Sequence, residues 1–220
     1  MSVDGLPKRP RAVIFDWDNT LVDSWPVIQD ALNTTFRAYG MPEWDMTETR
    51  TKVRKSTRDS FPELFGDAWE EAVKVFYGRY EEIHAAAVQP AAGAQDLLEK
   101  LSGQGVYLCV VSNKRGDYLR KEADNLDWSR HFGTIIGALD AERDKPDPAP
   151  VHMALKSGGI PAGPDVWFVG DADIDLNCAV NAGCVPVLVR AQTPATDEFK
   201  EHQPAYYFEN CQRLCNYLQT

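Results

Sequence analysis

Two carboxylates two residues apart, Asp16 and Asp18 in the run Phe15-Asp16-Trp17-Asp18-Asn19-Thr20, are the first residues of the chain whose types and spacing suit chemistry. They close a short apolar run, and at a strand end side chains two apart can point the same way. Held together in a crevice they repel, which suits a divalent cation or a split of nucleophile and acid/base roles. The same pattern also fits a solvated loop or an Asx turn. A second acidic run, Asp171-Ala172-Asp173-Ile174-Asp175, follows an apolar run and Gly170. Here Asp171 is expected to cap the next helix, with Asp175 one turn on, so that these two share a face while Asp173 points away. A calcium loop fails, because its sixth position is Leu176 instead of Gly and its twelfth is Ala182 instead of Glu. Acids complementing a helix dipole remain the plain alternative.

Two further groups could handle an anion. Lys145 precedes Pro146-Asp147-Pro148, a stiff segment able to aim a point charge at a phosphoryl oxygen, although a lysine in a polar surface loop reads the same way. Ser112-Asn113 offers a hydroxyl and backbone amides at an expected strand-to-helix turn, suited to a phosphate but unspecific alone.

These groups need elements to position them. Short apolar runs at Ala12–Trp17, Val106–Val111, Thr134–Gly137, Val166–Val169 and Cys184–Val189, with a small piece at Tyr206–Phe208, read as strands. Helical patterns alternate with them at Ala94–Leu101, Asp117–Leu126, Ala149–Lys156, Ile174–Ala182 and Cys211–Leu218. Such alternation predicts an α/β fold, a doubly wound parallel sheet covered on both faces. Ligands of these sheets bind beyond the carboxyl ends of the strands, where Asp16, Asp18, Ser112 and Asp171 fall. Residues 24–90 break the alternation with helical segments only, at Pro26–Tyr39, Thr47–Phe61 and Ala68–Ala87, parted at Gly40-Met41-Pro42 and Phe61-Pro62. The expected organisation is therefore a core of 1–23 and 91–220, with an all-helical insertion at 24–90 after the first strand.

Composition narrows the partners. The 220 residues are 44% hydrophobic and 25% charged, which is ordinary for a soluble globular chain. Acids outnumber bases 33 to 23, a formal charge of −10, against a nucleic-acid binder or a polybasic membrane-surface protein. No stretch approaches the roughly 20 apolar residues of a membrane span, and the polar Met1–Arg11 is no signal peptide. The five cysteines, Cys109, Cys178, Cys184, Cys211 and Cys215, lack a CxxC and read as reduced thiols of a cytoplasmic protein, not zinc ligands.

Taken together and in order, FDWDNTLVDS, VVSNK, KPDP and VGDADIDLNCA resemble the four motifs of the haloacid-dehalogenase superfamily, over essentially the whole chain. The resemblance implies a Rossmann-like core with a C1-type helical cap and a Mg²⁺-dependent hydrolase. Asp16 would be the nucleophile that forms an aspartyl-phosphate. Asp18 would be the general acid/base, its backbone carbonyl also touching the metal. Thr20 would orient the loop, Ser112 and amides near Asn113 would hold the phosphoryl oxygens, and Lys145 would offset their charge. Asp171 would bind Mg²⁺ directly, supported by Asp175, giving a metal set of Asp16, Asp18, Asp171 and Asp175. An aspartate at position 18 favours phosphomonoester hydrolysis over C–Cl or C–P chemistry, and the chain looks most like phosphoglycolate phosphatases.

The cap would close over the metal and exclude water, and one cation of Lys52, Arg54, Lys55 and Arg58, with Arg54 and Arg58 favoured, could meet a second anionic group of the substrate. A solvated face balancing Glu48 and Asp59 is the alternative. Trp44, Trp69, Phe76, Tyr77 and Tyr80 are expected to form cap core. The implied partner is a small phosphorylated metabolite, with no nucleic acid or membrane, acted on by a monomer or homodimer. Competing functions are a sugar phosphomutase of the same superfamily, a phosphatase of nucleotides or pyrophosphate, and a non-catalytic binding protein. Four carboxylates beside Lys145 as the only motif cation would repel a phosphate until Mg²⁺ enters.

Overall fold

The computed structural model describes residues 9–53, 57–195 and 197–218. Arg54 and Lys55 lie outside the described residues, as do the side chains of Arg58 and Asp59, and the expected cap cations at 54, 55 and 58 with them. Contacts cluster into two compact parts, the chain passing from one to the other after Val22 and back after Gln89.

In the larger part, β1 (Ala12–Phe15) leads through the crossing segments β2 (Val22–Asp23) and β3 (Gln89–Pro90) to α5 (Ala94–Gly103), the helices of the smaller part falling between β2 and β3 in sequence. Then come β4 (Tyr107–Arg115), α6 (Gly116–Asn125), β5 (Thr134–Ala138), α7 (Ala149–Lys156), β6 (Val166–Gly170), α8 (Asp173–Asn181), β7 (Val185–Val189), β8 (Tyr206–Phe208) and α9 (Cys211–Tyr217). Six of the strands form one sheet in the order β5-β4-β1-β6-β7-β8, each neighbouring pair parallel, while β2 and β3 pair separately. Right-handed crossovers put the helices of the leftward and rightward runs on opposite faces. On one face α7 and α8 pack against Ala12, Ile14, Cys109, Val111, Val166 and Phe168. Residues of the other parity, Val13, Phe15, Val110, Trp167 and Val169, are equally buried toward the second face. Burial on both faces is why these strands read as continuous apolar runs instead of alternating ones, each large side chain contributing roughly 1.5–3 kcal/mol.

Two boundaries differ from expectation in ways that matter for the site. β4 does not stop at Val111; it runs on through Arg115, with a register shift against β5 between Val111 and Arg115. Ser112 and Asn113 therefore sit in an irregular strand end instead of a strand-to-helix turn. Asp171 is not the N-cap: Ala172 is, in extended conformation, and α8 begins at Asp173. Alanine has no capping oxygen, so the Asp175 carboxylate reaches back instead and Oδ2 accepts from the Ala172 amide at 3.1 Å.

The smaller part comprises α1 (Trp25–Ala38), α2 (Met46–Lys52), α3 (Thr57–Phe65) and α4 (Trp69–Ala87). Its core is aromatic: Phe36 meets Trp44 and Phe65, Phe61 meets Phe65 and Phe76, and Phe76 stacks on Tyr80 at 5.9 Å. Asn33 holds the α1–α2 connection, its amide paired with both the N–H and the C=O of Trp44 at 2.9 Å. The helix expected at Thr47–Phe61 is two helices. Thr49 and Thr51 turn their hydroxyls onto backbone oxygens one turn back, and the chain becomes extended at Val53. Pro62 does not end α3; it sits inside, forgoing one backbone bond, and the helix stops at Phe65 before Gly66 with φ +54°.

Candidate active site

Three strand ends and one loop of the larger part deliver the charged groups. β1 releases Asp16, whose amide is tied to Val169 of β6 at 2.9 Å, and β6 ends at Gly170 immediately before Asp171. A side chain at Gly170 would run into the Asp175 side chain, so glycine here lets α8 start close to the strand. The next turn is built for Asn19, which takes φ +60° and donates its amide to Val22 O at 2.7 Å. Asparagine tolerates that left-handed conformation better than most residues. Thr20 is buried, and its amide and those of Leu21 and Val22 all point to the Trp17 carbonyl, which closes the loop.

Carboxylate oxygens of Asp16, Asp171 and Asp175 lie within 4.8 Å of one another. Lys145 Nζ, itself buried, lies 2.6 Å from Asp16 Oδ1 and 2.7 Å from Asp175 Oδ1. Two of the three acids contact the ammonium, and burial together with the neighbouring carboxylates raises Asp16 and Asp171. Burial pushes Asp16 up to about 6, with Asp175 and Asp18 adding to it and Lys145 opposing. Burial, then Asp175 and Asp16, hold Asp171 well above the usual carboxylate range. Burial alone would lower Lys145, but Asp16 and Asp175 outweigh it and keep the ammonium above its ordinary value. A cluster of hard oxygen donors with uncompensated charge fits a divalent cation such as Mg²⁺. Asp175 has Oδ1 on Lys145 and Oδ2 on the Ala172 amide, so it supports the cluster while Asp16 and Asp171 face it.

The other expected residues are placed as follows. The Asp18 carboxylate is not among the three clustered acids; it lies 2.9 Å from Lys114 Nζ. Ser112 is buried, and its Oγ accepts from the Lys114 amide at 3.3 Å. Asn113 spends its side chain on the backbone of Lys145, accepting from its N–H and donating to its C=O, each at 3.0 Å. That pairing, across 32 residues, fixes the root of the lysine. Lys52 ion-pairs with Glu48 at 2.7 Å and lies over the Trp44 ring, as expected of a solvated face.

Lys145 is therefore not the only motif cation. Lys114, the last residue of VVSNK, pairs with both Asp18 and the fully buried Glu122 of α6, at 2.9 and 2.7 Å. Glu122 Oε2 also accepts from the Trp17 indole N–H at 2.7 Å. The signal that could have found this pair is in α6. Tyr118, Leu119, Glu122 and Ala123 form its buried stripe, and a glutamate on an apolar stripe demands a buried cation.

Comparisons with known proteins converge on one family. Residues 13–189 match the family described as haloacid dehalogenase-like hydrolase. Phosphoglycolate phosphatase 1 of Pseudomonas aeruginosa is 32% identical over 185 residues, covering 79% of this chain and 67% of that protein. A phosphoglycolate phosphatase of Pseudomonas fluorescens is 30% identical over 215 residues, covering 93% and 78%. Among solved structures, a HAD-superfamily hydrolase from Ehrlichia chaffeensis is 29% identical with a TM-score of 0.66, over 97% of this chain and 98% of that one. A haloacid dehalogenase-like family hydrolase from Streptococcus pneumoniae is 25% identical with a TM-score of 0.82, over 96% and 99%. With the motif residues gathered at the strand ends and the family match spanning most of its length, the chain belongs to the haloacid dehalogenase-like hydrolase family.

Proposed function

We propose that this chain is a Mg²⁺-dependent phosphatase of small phosphate monoesters, with 2-phosphoglycolate the leading substrate. The observation that carries the reading is the cluster of Asp16, Asp171 and Asp175 answered by one buried ammonium, Lys145. The phosphoglycolate phosphatases among its relatives support the substrate. Asp16 attacks phosphorus; the ester P–O bond breaks as the aspartyl P–O bond forms. Asp18 gives a proton to the departing oxygen and then takes one from the water that hydrolyses the aspartyl-phosphate. Lys145 lies against Asp16, where it offsets charge on the phosphoryl oxygens, and Ser112 with the amide of Asn113 receives those oxygens. Thr20 keeps the loop that carries Asp18 in place. Asp16, Asp171 and the Asp18 carbonyl would hold Mg²⁺, with Asp175 behind them. Bound there, the ion supplies the positive charge that lets a phosphate dianion approach a carboxylate. Five free, buried thiols support a reducing, cytoplasmic setting.

Phosphate release measured over phosphoglycolate, nucleotides, sugar phosphates and pyrophosphate, with and without Mg²⁺, tests the reading. Mg²⁺-dependent release with a preference for phosphoglycolate is the expected result. Release from other monoesters alone removes the substrate, and no metal-dependent release from any of them removes the phosphatase.

A further inference from the structure

We infer that Lys114 is a positioning residue for the proton-transfer step, anchored by Glu122 and Trp17 and fixing in turn the carboxyl group of Asp18. The inference rests on the reading of Asp18 as the acid/base. The contacts form a continuous chain: Trp17 Nε1 donates to Glu122 Oε2, Lys114 Nζ meets the same oxygen, and Lys114 Nζ reaches Asp18 Oδ1. No link is more exposed than the group it holds. Trp17 is fully buried, its ring set edge-on against Trp128 and Phe132 at 5.8 and 6.5 Å. Glu122 is likewise fully buried, the Lys114 side chain is 4% exposed, and the Asp18 side chain is 29% exposed.

Stability alone does not account for this arrangement, because a buried ion pair seldom outperforms well-packed apolar side chains of the same volume. What the pair provides is a rigid ammonium pointed at the Asp18 carboxylate. Asp18 stands two residues from Asp16, on the rim of a crevice with surplus negative charge, and like-charge repulsion would drive it toward solvent. A general acid must stand within hydrogen-bond reach of the oxygen it protonates, and a displacement of about 1 Å costs on the order of 10²-fold in rate. The proton concerned moves from the Asp18 carboxyl group to the ester oxygen as its bond to phosphorus breaks. A poor alkoxide leaving group needs that proton; p-nitrophenolate leaves largely without it.

The test compares kcat/KM for glycerol 2-phosphate and p-nitrophenyl phosphate in the full-length protein with Mg²⁺. Lys114→Met should lose on the order of 10²-fold in kcat/KM on the alkyl ester and about tenfold less on the aryl ester, whose first step needs little proton donation. Lys114→Arg should restore most of the alkyl rate, since a guanidinium can span the same two carboxylates. Glu122→Gln, which keeps an acceptor for the indole, should show the same selectivity at smaller size. If Lys114→Met does not fold, the double variant Lys114→Met/Glu122→Gln removes both buried charges and takes its place. Equal losses of kcat/KM on the two esters overturn the inference. Asp18→Asn separates the two levels. If it shows the selective loss and the Lys114 variants do not, only the role of Lys114 fails. If it does not, the acid/base reading of Asp18 itself fails.

Discussion

Two lysines meet the strand ends of the larger part, and they are used differently. Lys145 faces three carboxylates, Asp16, Asp171 and Asp175, so with all four ionised the group carries three minus one, a formal charge of −2. Among the described residues, Lys114 pairs with Asp18 and Glu122, a formal −1 for these three groups, with an indole N–H on the glutamate. Charge missing from the first group is what a divalent cation and a phosphoryl group would bring. The second is closer to closed, and its ammonium is committed to holding a neighbour. Similar chemistry, a buried lysine shared by acids, thus makes a reaction centre in one place and a scaffold in the other. The difference lies in how much charge is left unanswered.

The sharpest break in that comparison is Asp16→Asn. Turnover should fall by on the order of 10⁴-fold or more, while the metal-free melting temperature stays level or rises, because a strained buried carboxylate becomes a neutral amide. Near-wild-type turnover in phosphate-release assays would remove Asp16 as nucleophile. Lys145→Met comes next. Activity should drop on the order of 10²- to 10³-fold, and stability by about 3 kcal/mol, since Asp16 and Asp175 lose their buried counter-charge. Urea unfolding of the metal-free protein measures the second part, and an unchanged midpoint would mean that the pair is not held as described.

Proton and metal should compete at the first group. Asp16 is raised in the folded protein to about 6, so protonation favours the fold, and metal-free stability should decline as pH rises from the ordinary carboxylate range through about 6. Above that range the ionised acids are available to Mg²⁺. The rise in melting temperature with added Mg²⁺ should therefore be larger at pH 7.5 than at pH 5. A pH-independent metal shift in differential scanning fluorimetry would place the ion elsewhere. The smallest effect is expected at Asn113→Ala, which removes the two bonds to the Lys145 backbone. About 1–2 kcal/mol of stability and roughly tenfold in kcat should be lost, with KM little changed. Equal losses in kcat and in affinity would instead give the Asn113 side chain a direct contact with substrate.

Much of this was legible in advance. The apolar runs ending in Asp16, Ser112 and Asp171 marked buried parallel strands, because a strand covered on both faces shows no alternation. Their polar termini marked the side on which a ligand binds. Local irregularities were not legible. The continuation of β4 to Arg115 depends on its pairing with β5, and the reach of Asp175 back to Ala172 substitutes for a cap that no residue type announces. In the smaller part, Pro62 suggested a break that the helix absorbs, while Gly66 supplied the actual one.

Residue order alone determined most elements of the larger part, the acids near their ends and the family, because periodicity and turn chemistry act over a few residues. Only the tertiary structure decided which ammonium answers which carboxylate. Lys145 meets Asp16 across 129 residues, and Lys114 meets Asp18 across 96. Such pairings follow from the order of strands in the sheet, set by packing of the whole core, and no local pattern encodes them.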